Sequence, residues 1–350
     1  MVKKRRLFLV MILVMSLAIV GCGQDNAAVN QDGSDGAKVY TCKIGTDEPE
    51  GTPKHEAQMK FADRVAELTN NEVKITIYPG GQLGSSRELI EAAQIGSIQG
   101  VAVPTSTVTG FEPKMSVFDL PFLFPSREVA YQVIEGEVGD AVLATLEKHG
   151  LVATSFYGTG WKQLTGNFKI EGPESFKGKK IRVMENPILI AQFQALGASA
   201  IPINFGELYN ALQQNVVDGQ ENPIVTCHEM KFYEVQKYMA ISDHAYLPNI
   251  FAFNKAWFDS LPEKHQQAIR TAGKEMDKWL RDEVKQREFE EYLPTMKDFG
   301  VQVTEFDEET RAKFAAIIQE PTRAKFFELT GDEGKALLKK VDEKIAELNK

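Results

Sequence analysis

Two side chains of this 350-residue chain have the chemistry to hold one group between them, Arg182 and Asn222. A guanidinium offers a planar fork of donors that a carboxylate accepts at two points, and an amide NH2 satisfies a further lone pair. Neither residue supplies a nucleophile or a base, so the chemistry they suggest is capture of an acid. Each stands at the end of a short apolar segment that reads as a strand, within FKGKKIRVMENP for Arg182 and NVVDGQENP for Asn222. Strands on a rigid sheet can aim side chains into a crevice. Between them, Asn204 and Glu207 have capping-box spacing and predict the start of a helix.

The length leaves room for two domains, and 43% hydrophobic with 25% charged residues is the balance of a globular protein. A formal charge of −9 argues against a nucleic-acid partner, which requires a basic face to neutralise phosphates. It does not argue against a small anion, because one local arginine outweighs a distant net charge.

The start of the chain predicts export. Lys3, Lys4, Arg5 and Arg6 precede an apolar run over 7–20 that is short for a membrane span of roughly 20 residues and right for a signal peptide. The run ends Ile19-Val20-Gly21-Cys22, which resembles a bacterial lipobox, with cleavage before Cys22 and lipidation of its thiol. The polar stretch 23–37 reads as a flexible tether. The other cysteines, Cys42 and Cys227, read as small core residues and not as a disulfide.

From there the pattern is β, α, β, α, β. A strand over 39–45 leads to an acidic loop with Asp47 and Glu48. Thr52 caps a helix with Pro53 in its first turn, and Val73, Ile75 and Ile77 alternate as a strand. Ser86 begins a second helix, and a third strand ends before Pro104 and Thr105. This alternation predicts an α/β fold with a mostly parallel sheet, whose ligands bind beyond the carboxyl ends of the strands. A strand is predicted over 151–157, and the segment 244–253 follows later, strand-like at Phe251 and Phe253. A long helix begins near Ser260 and Pro262 and runs until Pro294 kinks or ends it; a strand and two charged helices follow. The histidines are scattered without HExxH, CxxC is absent, and no Ser/His/Asp set suggests itself, so neither a metal, a cofactor nor a catalytic site is expected.

Four strings together resemble the substrate-binding proteins of tripartite ATP-independent periplasmic (TRAP) transporters, the DctP family: GKKIRV at 178–183, VVDGQENP at 216–223, FYEVQK at 232–237 and LPFLF at 120–124. The resemblance covers about 39–350. It implies a hinged, two-domain fold of the periplasmic-binding-protein type, with a long helix spanning both domains and a cleft that closes on a small organic acid. The implied domains are 38–160 with 248–288, and 161–247 with 289–350. The acid, a sugar acid such as a uronate or aldonate or a four-carbon dicarboxylate, would pass to a sodium-driven membrane permease, and the mature protein would be lipid-anchored on the outer face of the membrane.

Carried over position by position, the carboxylate-binding arginine falls on Arg182, the asparagine on Asn222 and the aromatic beside the ligand on Phe205. A second cationic position, arginine in the sialic-acid binders, falls on Lys162, next to Trp161. An acidic position of those binders falls on Pro104, followed by Thr105. The first loop brings Asp47 and Glu48 towards the ligand. Structural alternatives stand beside these roles: Arg182 paired with Glu185 or Glu221, Lys162 on the surface, Phe205 and Trp161 in the core, and Asp47 and Glu48 in a solvated loop. Rival classes are an enzyme on the same fold and the solute receptor of an ATP-driven transporter.

Overall fold

The computed structural model describes residues 38–349. The signal peptide, the tether and Cys22 lie outside the described residues. Among those described, nine strands form one sheet: β1 (Tyr40–Gly45), β2 (Val73–Tyr78), β3 (Gly100–Pro104), β4 (Leu151–Gly166), β5 (Lys180–Val183), β6 (Ser199–Pro202), β7 (Gly219–Pro223), β8 (Tyr238–Asn254) and β9 (Gln302–Glu305). Their order is β2-β1-β3-β8-β4-β7-β5-β6, with β9 also on β8.

The sheet is mixed, not mostly parallel as the alternation predicts. Both flanks are parallel, β2-β1-β3 on one side and β7-β5-β6 on the other. Between them the long strands β4 and β8 run antiparallel to each other and to their inner neighbours. This is the two-domain α/β fold: two parallel half-sheets, each flanked by helices, joined through two shared strands. Long-range pairing carries β4 and β8 through Gly158 and Pro248. These two lie opposite each other beside a register shift between Gly158 and Trp161. A bulge of this kind is where a central strand tolerates a residue without an N–H.

Local signals set the helices near the cleft. Thr52 Oγ1 accepts from His55 N at 3.2 Å, with Pro53 opening the Pro53–Leu68 helix. Ser85, one residue before the predicted start, caps the Ser86–Gln94 helix, and Glu88 Oε2 accepts from Ser85 N at 2.8 Å. Asn204 makes no side-chain cap; residues Phe205–Glu207 form a short 3-10 turn into the Leu208–Gln213 helix. The long helix, Glu263–Arg287, buries Ile269, Ala272, Met276, Leu280 and Val284 at helical spacing and packs on the Pro53–Leu68 helix and β4. Gly273 permits that approach, since a Cβ there would lie 2.1 Å from Ser155 Oγ. The helix passes through a π turn, Glu288–Tyr292, before Leu293–Phe299, so Pro294 falls in the first turn of a new segment. Glu308–Leu348 is two helices broken at Gly331, whose φ of 60° ends the first. Cys42 and Cys227 are both free and buried, and burial pushes the Cys227 thiol up to about 12. No helix among the described residues is long and apolar enough to cross a membrane.

Candidate functional site

A cavity of about 500 Å³ opens at the carboxyl ends of β1, β3, β5 and β7, within the usual range for small-molecule sites. Of the residues singled out from sequence, it brings together Arg182, Asn222, Phe205, Asp47 and Glu48.

Arg182 stands on β5 between Ile201 of β6 and Gln220 of β7. Its Nε donates to Ile203 O at 2.9 Å, which fixes the guanidinium, and the side chain is only 3% exposed. Among the described residues no carboxylate lies within 4.0 Å of it, so the ion pairs with Glu185 or Glu221 that the sequence leaves open do not form. Burial pulls its pKa down to about 10, against the charges of Asp47 and Glu221, and the group stays protonated at neutral pH. A fixed, buried, charged fork without an acid partner therefore faces the cavity.

Asn222 is held by a chain of amides. Its Nδ2 donates to Gln220 Oε1 at 2.5 Å, and Gln220 Nε2 donates to Thr165 Oγ1 at 2.8 Å. Phe205 is half-buried, edge-on to Phe232 at 6.4 Å between centroids, and supplies an apolar wall. On the opposite lining, Asp47 Oδ2 accepts from Ser86 Oγ at 2.6 Å. Glu48 is ion-paired with Lys54, whose Nζ lies 5.8 Å from the centre of the Phe205 ring. The sequence reading missed Lys54, a lysine in the first turn of a helix; its spacing six residues after Glu48, across the Thr52 cap, is the one available signal.

Three of the expected residues are elsewhere. Lys162 is fully enclosed and does not line the cavity. Its Nζ donates to Glu221 Oε1 at 2.8 Å and lies 3.8 Å from Asp119. Glu221 Oε2 in turn meets His244 Nε2 and Gln192 Nε2, each at 2.8 Å. Burial alone would raise the Glu221 carboxyl, but the Lys162 charge and the His244 contact hold it well below the ordinary range. Burial prevails at Asp119 and raises it, against Lys162 and a hydrogen bond from Ser106. Trp161 is buried edge-on to Tyr246, 6.2 Å between centroids. The Thr105 hydroxyl is committed to Pro248 O at 3.2 Å, while Pro104 and Thr107 on either side of it reach the cavity. No cluster of three or more His, Cys, Asp or Glu that could hold a metal is present among the described residues.

The family model for bacterial extracellular solute-binding protein, family 7 (DctP), matches residues 44–329. A TRAP periplasmic solute-binding protein from Desulfovibrio salexigens, solved with bound orotic acid, is 38% identical with a TM-score of 0.85, covering 88% of this chain and 99% of that one. The sugar acid binding protein DctPAm from Advenella mimigardefordensis, in complex with galactonate, is 32% identical with a TM-score of 0.82, covering 89% and 100%. The 2,3-diketo-L-gulonate-binding periplasmic protein YiaO of Escherichia coli is 33% identical over 307 residues, 87% of this chain and 92% of its own. With the fold, the cleft and these likenesses in agreement, the chain belongs to the bacterial extracellular solute-binding protein family 7, the DctP family of TRAP solute-binding proteins.

Proposed function

We propose that this protein captures a small organic acid in its cleft, a sugar acid such as a uronate or aldonate or a four-carbon dicarboxylate, and delivers it to a sodium-driven TRAP permease. One observation carries the reading: Arg182 is buried, lines the cavity and has no carboxylate partner among the described residues. A buried charge costs several kcal/mol unless it is paired, so an unmatched guanidinium favours an anionic ligand. Asn222 would add a donor to that anion, Phe205 would pack against its carbon skeleton, and Asp47 and Glu48 would face its polar groups. Lys162, Trp161 and Thr105 act in this reading by holding the strands that carry the site. The orotate, galactonate and diketogulonate of the relatives are all small carboxylates, which supports the same class.

The role is binding, not catalysis. The family, one of bacterial extracellular solute-binding proteins, supports that reading. Closure would draw 38–160 with 248–288 towards 161–247 with 289–350. These divisions fall at the β4 register shift beside Gly158, at Pro248 and at the π turn that begins with Glu288, places where strand and helix are already irregular. Cys22 would carry the lipid; Cys22→Ala should abolish incorporation of labelled fatty acid, and continued labelling would remove that assignment.

A thermal-shift panel of uronates, aldonates, malate, succinate and keto acids tests the main reading. An acid at about 100 times its dissociation constant adds roughly 2.7 kcal/mol to stability, a plainly raised melting temperature. A panel in which no organic acid shifts the transition overturns it.

A further inference from the structure

The charges lining the cavity narrow the class of acid. Three cations line it, Lys54, Arg87 and Arg182. Arg87 is matched at the surface, with Glu185 at 3.0 Å and Glu91 at 3.2 Å, its side chain half exposed. Lys54 is matched inside: it and Glu48 form a buried pair with side-chain exposures of only 9% and 7%. Among the described residues, Arg182 alone of these three is left without an acid within 4.0 Å. Five acidic side chains line the same cavity, Asp47 and Glu48 among them.

We infer that the cleft takes a polyhydroxy monocarboxylate and turns away dicarboxylates, because Glu48 neutralises the second buried cation, Lys54, and with Asp47 leaves the lining opposite Arg182 acidic. This rests on the proposed role of Arg182 and deepens it. One carboxylate of the ligand is matched by Arg182. A second carboxylate would have no free buried cation; recruiting Lys54 would break its pair with Glu48 and leave that carboxylate buried without a partner. Near Asp47 or Glu48 a second anion would instead meet like charge, which disfavours ionisation of either group.

Hydroxyls meet the opposite situation. An ionised carboxylate is a pure acceptor with about four lone-pair directions, and an O–H donated to it makes a short, charge-assisted hydrogen bond. Asp47 Oδ2 already accepts from Ser86 Oγ, which orients the group and leaves Oδ1 for a ligand hydroxyl. Glu48 is oriented in the same way by Lys54. Lys54 also faces the Phe205 ring, so the acidic pair and the apolar wall stand close together, an arrangement suited to a chain with carbon on one side and hydroxyls on the other. Glu48 is thus the specificity-determining residue: it denies Lys54 to a second carboxylate and offers an acceptor in its place.

Matched pairs of acids test this by calorimetry on the exported chain. Galactonate and galactarate share their hydroxyl configuration and differ at C6, CH2OH in one and carboxylate in the other; erythronate and meso-tartrate make the four-carbon pair. The aldonate of at least one pair should bind about tenfold or more tightly than its aldarate, given the size of close like-charge interactions. Glu48→Gln should shrink that ratio by freeing Lys54. Asp47→Asn, which leaves the Lys54 pair intact, should shrink it by removing a like charge, and it serves if Glu48→Gln does not fold. Aldarates or succinate binding as well as the aldonates, or a ratio unmoved in the folded variants, overturns the inference while leaving the acid-binding role in place. Failure of every acid, mono- or dicarboxylate, overturns both.

Discussion

Arg182 and Lys162 are both cations, both carried on the same sheet and both withdrawn from solvent, yet their surroundings are opposite. Lys162 has a carboxylate at 2.8 Å and a second at 3.8 Å, and that first carboxylate is itself bound by His244 and Gln192. Arg182 has one backbone carbonyl. A buried charge whose partners lie within the chain is part of the scaffold; one whose partner is missing from the chain is waiting for something outside it. The first kind of site is stable before ligand arrives, and the second is completed by ligand. Strain left in the unliganded site becomes affinity on binding.

That difference is most severely tested at Lys162. Lys162→Met leaves Glu221 buried without its cation and should cost about 3–5 kcal/mol of stability, as breaking one side of a buried pair generally does. Urea unfolding without ligand measures it. A loss under about 1 kcal/mol together with abolished binding would move Lys162 from the scaffold into the site. Arg182 should behave in the reverse sense. Arg182→Ala should leave unliganded stability unchanged or raised, while affinity falls by about 2–5 kcal/mol, roughly 30-fold to several thousand-fold. Arg182→Lys should recover only part, because an ammonium keeps the charge and loses the two-point geometry. Unchanged affinity in a folded Arg182→Ala protein would remove the residue from the site.

The same pair marks how far the sequence can be read. Arg182 and Asn222 were legible because each ends a strand on the side where an α/β sheet binds, whereas Phe205, Asp47 and Glu48 were marked only by the family resemblance. Lys162 was singled out only by the family resemblance, and nothing local marked it as buried. Which way it points depends on the register shift between Gly158 and Trp161, and that shift arises from pairing with β8, some 80 residues later in the chain. β4 was read short for the same reason: the predicted strand stops before Gly158, and only the partner strand carries the chain through. Lys54 gave no signal beyond its spacing from Glu48, since a helix-start lysine is ordinarily solvated. The parallel flanks, by contrast, follow from the local alternation of strand and helix, with Thr52 marking one helix boundary and Ser86 falling one residue inside another.

A third buried charge falls between the two extremes. Asp277 accepts from Gly158 N at 3.2 Å and has Arg281 at 3.4 Å, contacts that do not fully offset burial, which pushes the carboxyl up to about 7 against the Arg281 charge. Glu135 adds a further upward push. Because the folded value lies above the unfolded one of about 3.9, the folded state holds the proton between those limits and the unfolded state does not. The contribution of Asp277 is therefore present at low pH and lost as pH rises towards and through about 7. Asp277→Asn, which keeps a neutral acceptor for Gly158 N, should exceed wild type by on the order of 2–3 kcal/mol at pH 8 and match it near pH 4. Melting curves across that range decide it, and a constant offset at all pH values would show that folding does not shift the Asp277 pKa.

The smallest effect belongs to a pair that is neither buried nor unmatched. Arg87 on the Ser86–Gln94 helix reaches Glu185, just beyond β5, at 3.0 Å, so the contact spans the cavity between the two proposed domains. Its partners are 51% and 63% exposed, and Arg87 keeps Glu91 whether or not Glu185 is there. Exposed pairs of this kind contribute about 0.2–1 kcal/mol, which bounds its influence on ligand affinity at roughly fivefold. A double-mutant cycle with Arg87→Ala and Glu185→Ala, read in ligand affinity, should give a coupling in that range. It should also vanish at 1 M salt, where the screening length is about 3 Å. The buried Lys54–Glu48 pair should keep its effect on specificity at the same salt concentration, since ions do not reach it. A coupling above about 2 kcal/mol, or one indifferent to salt, would mean that closure shields Arg87 and Glu185 from solvent, and would place them with Lys162 among the internal charges.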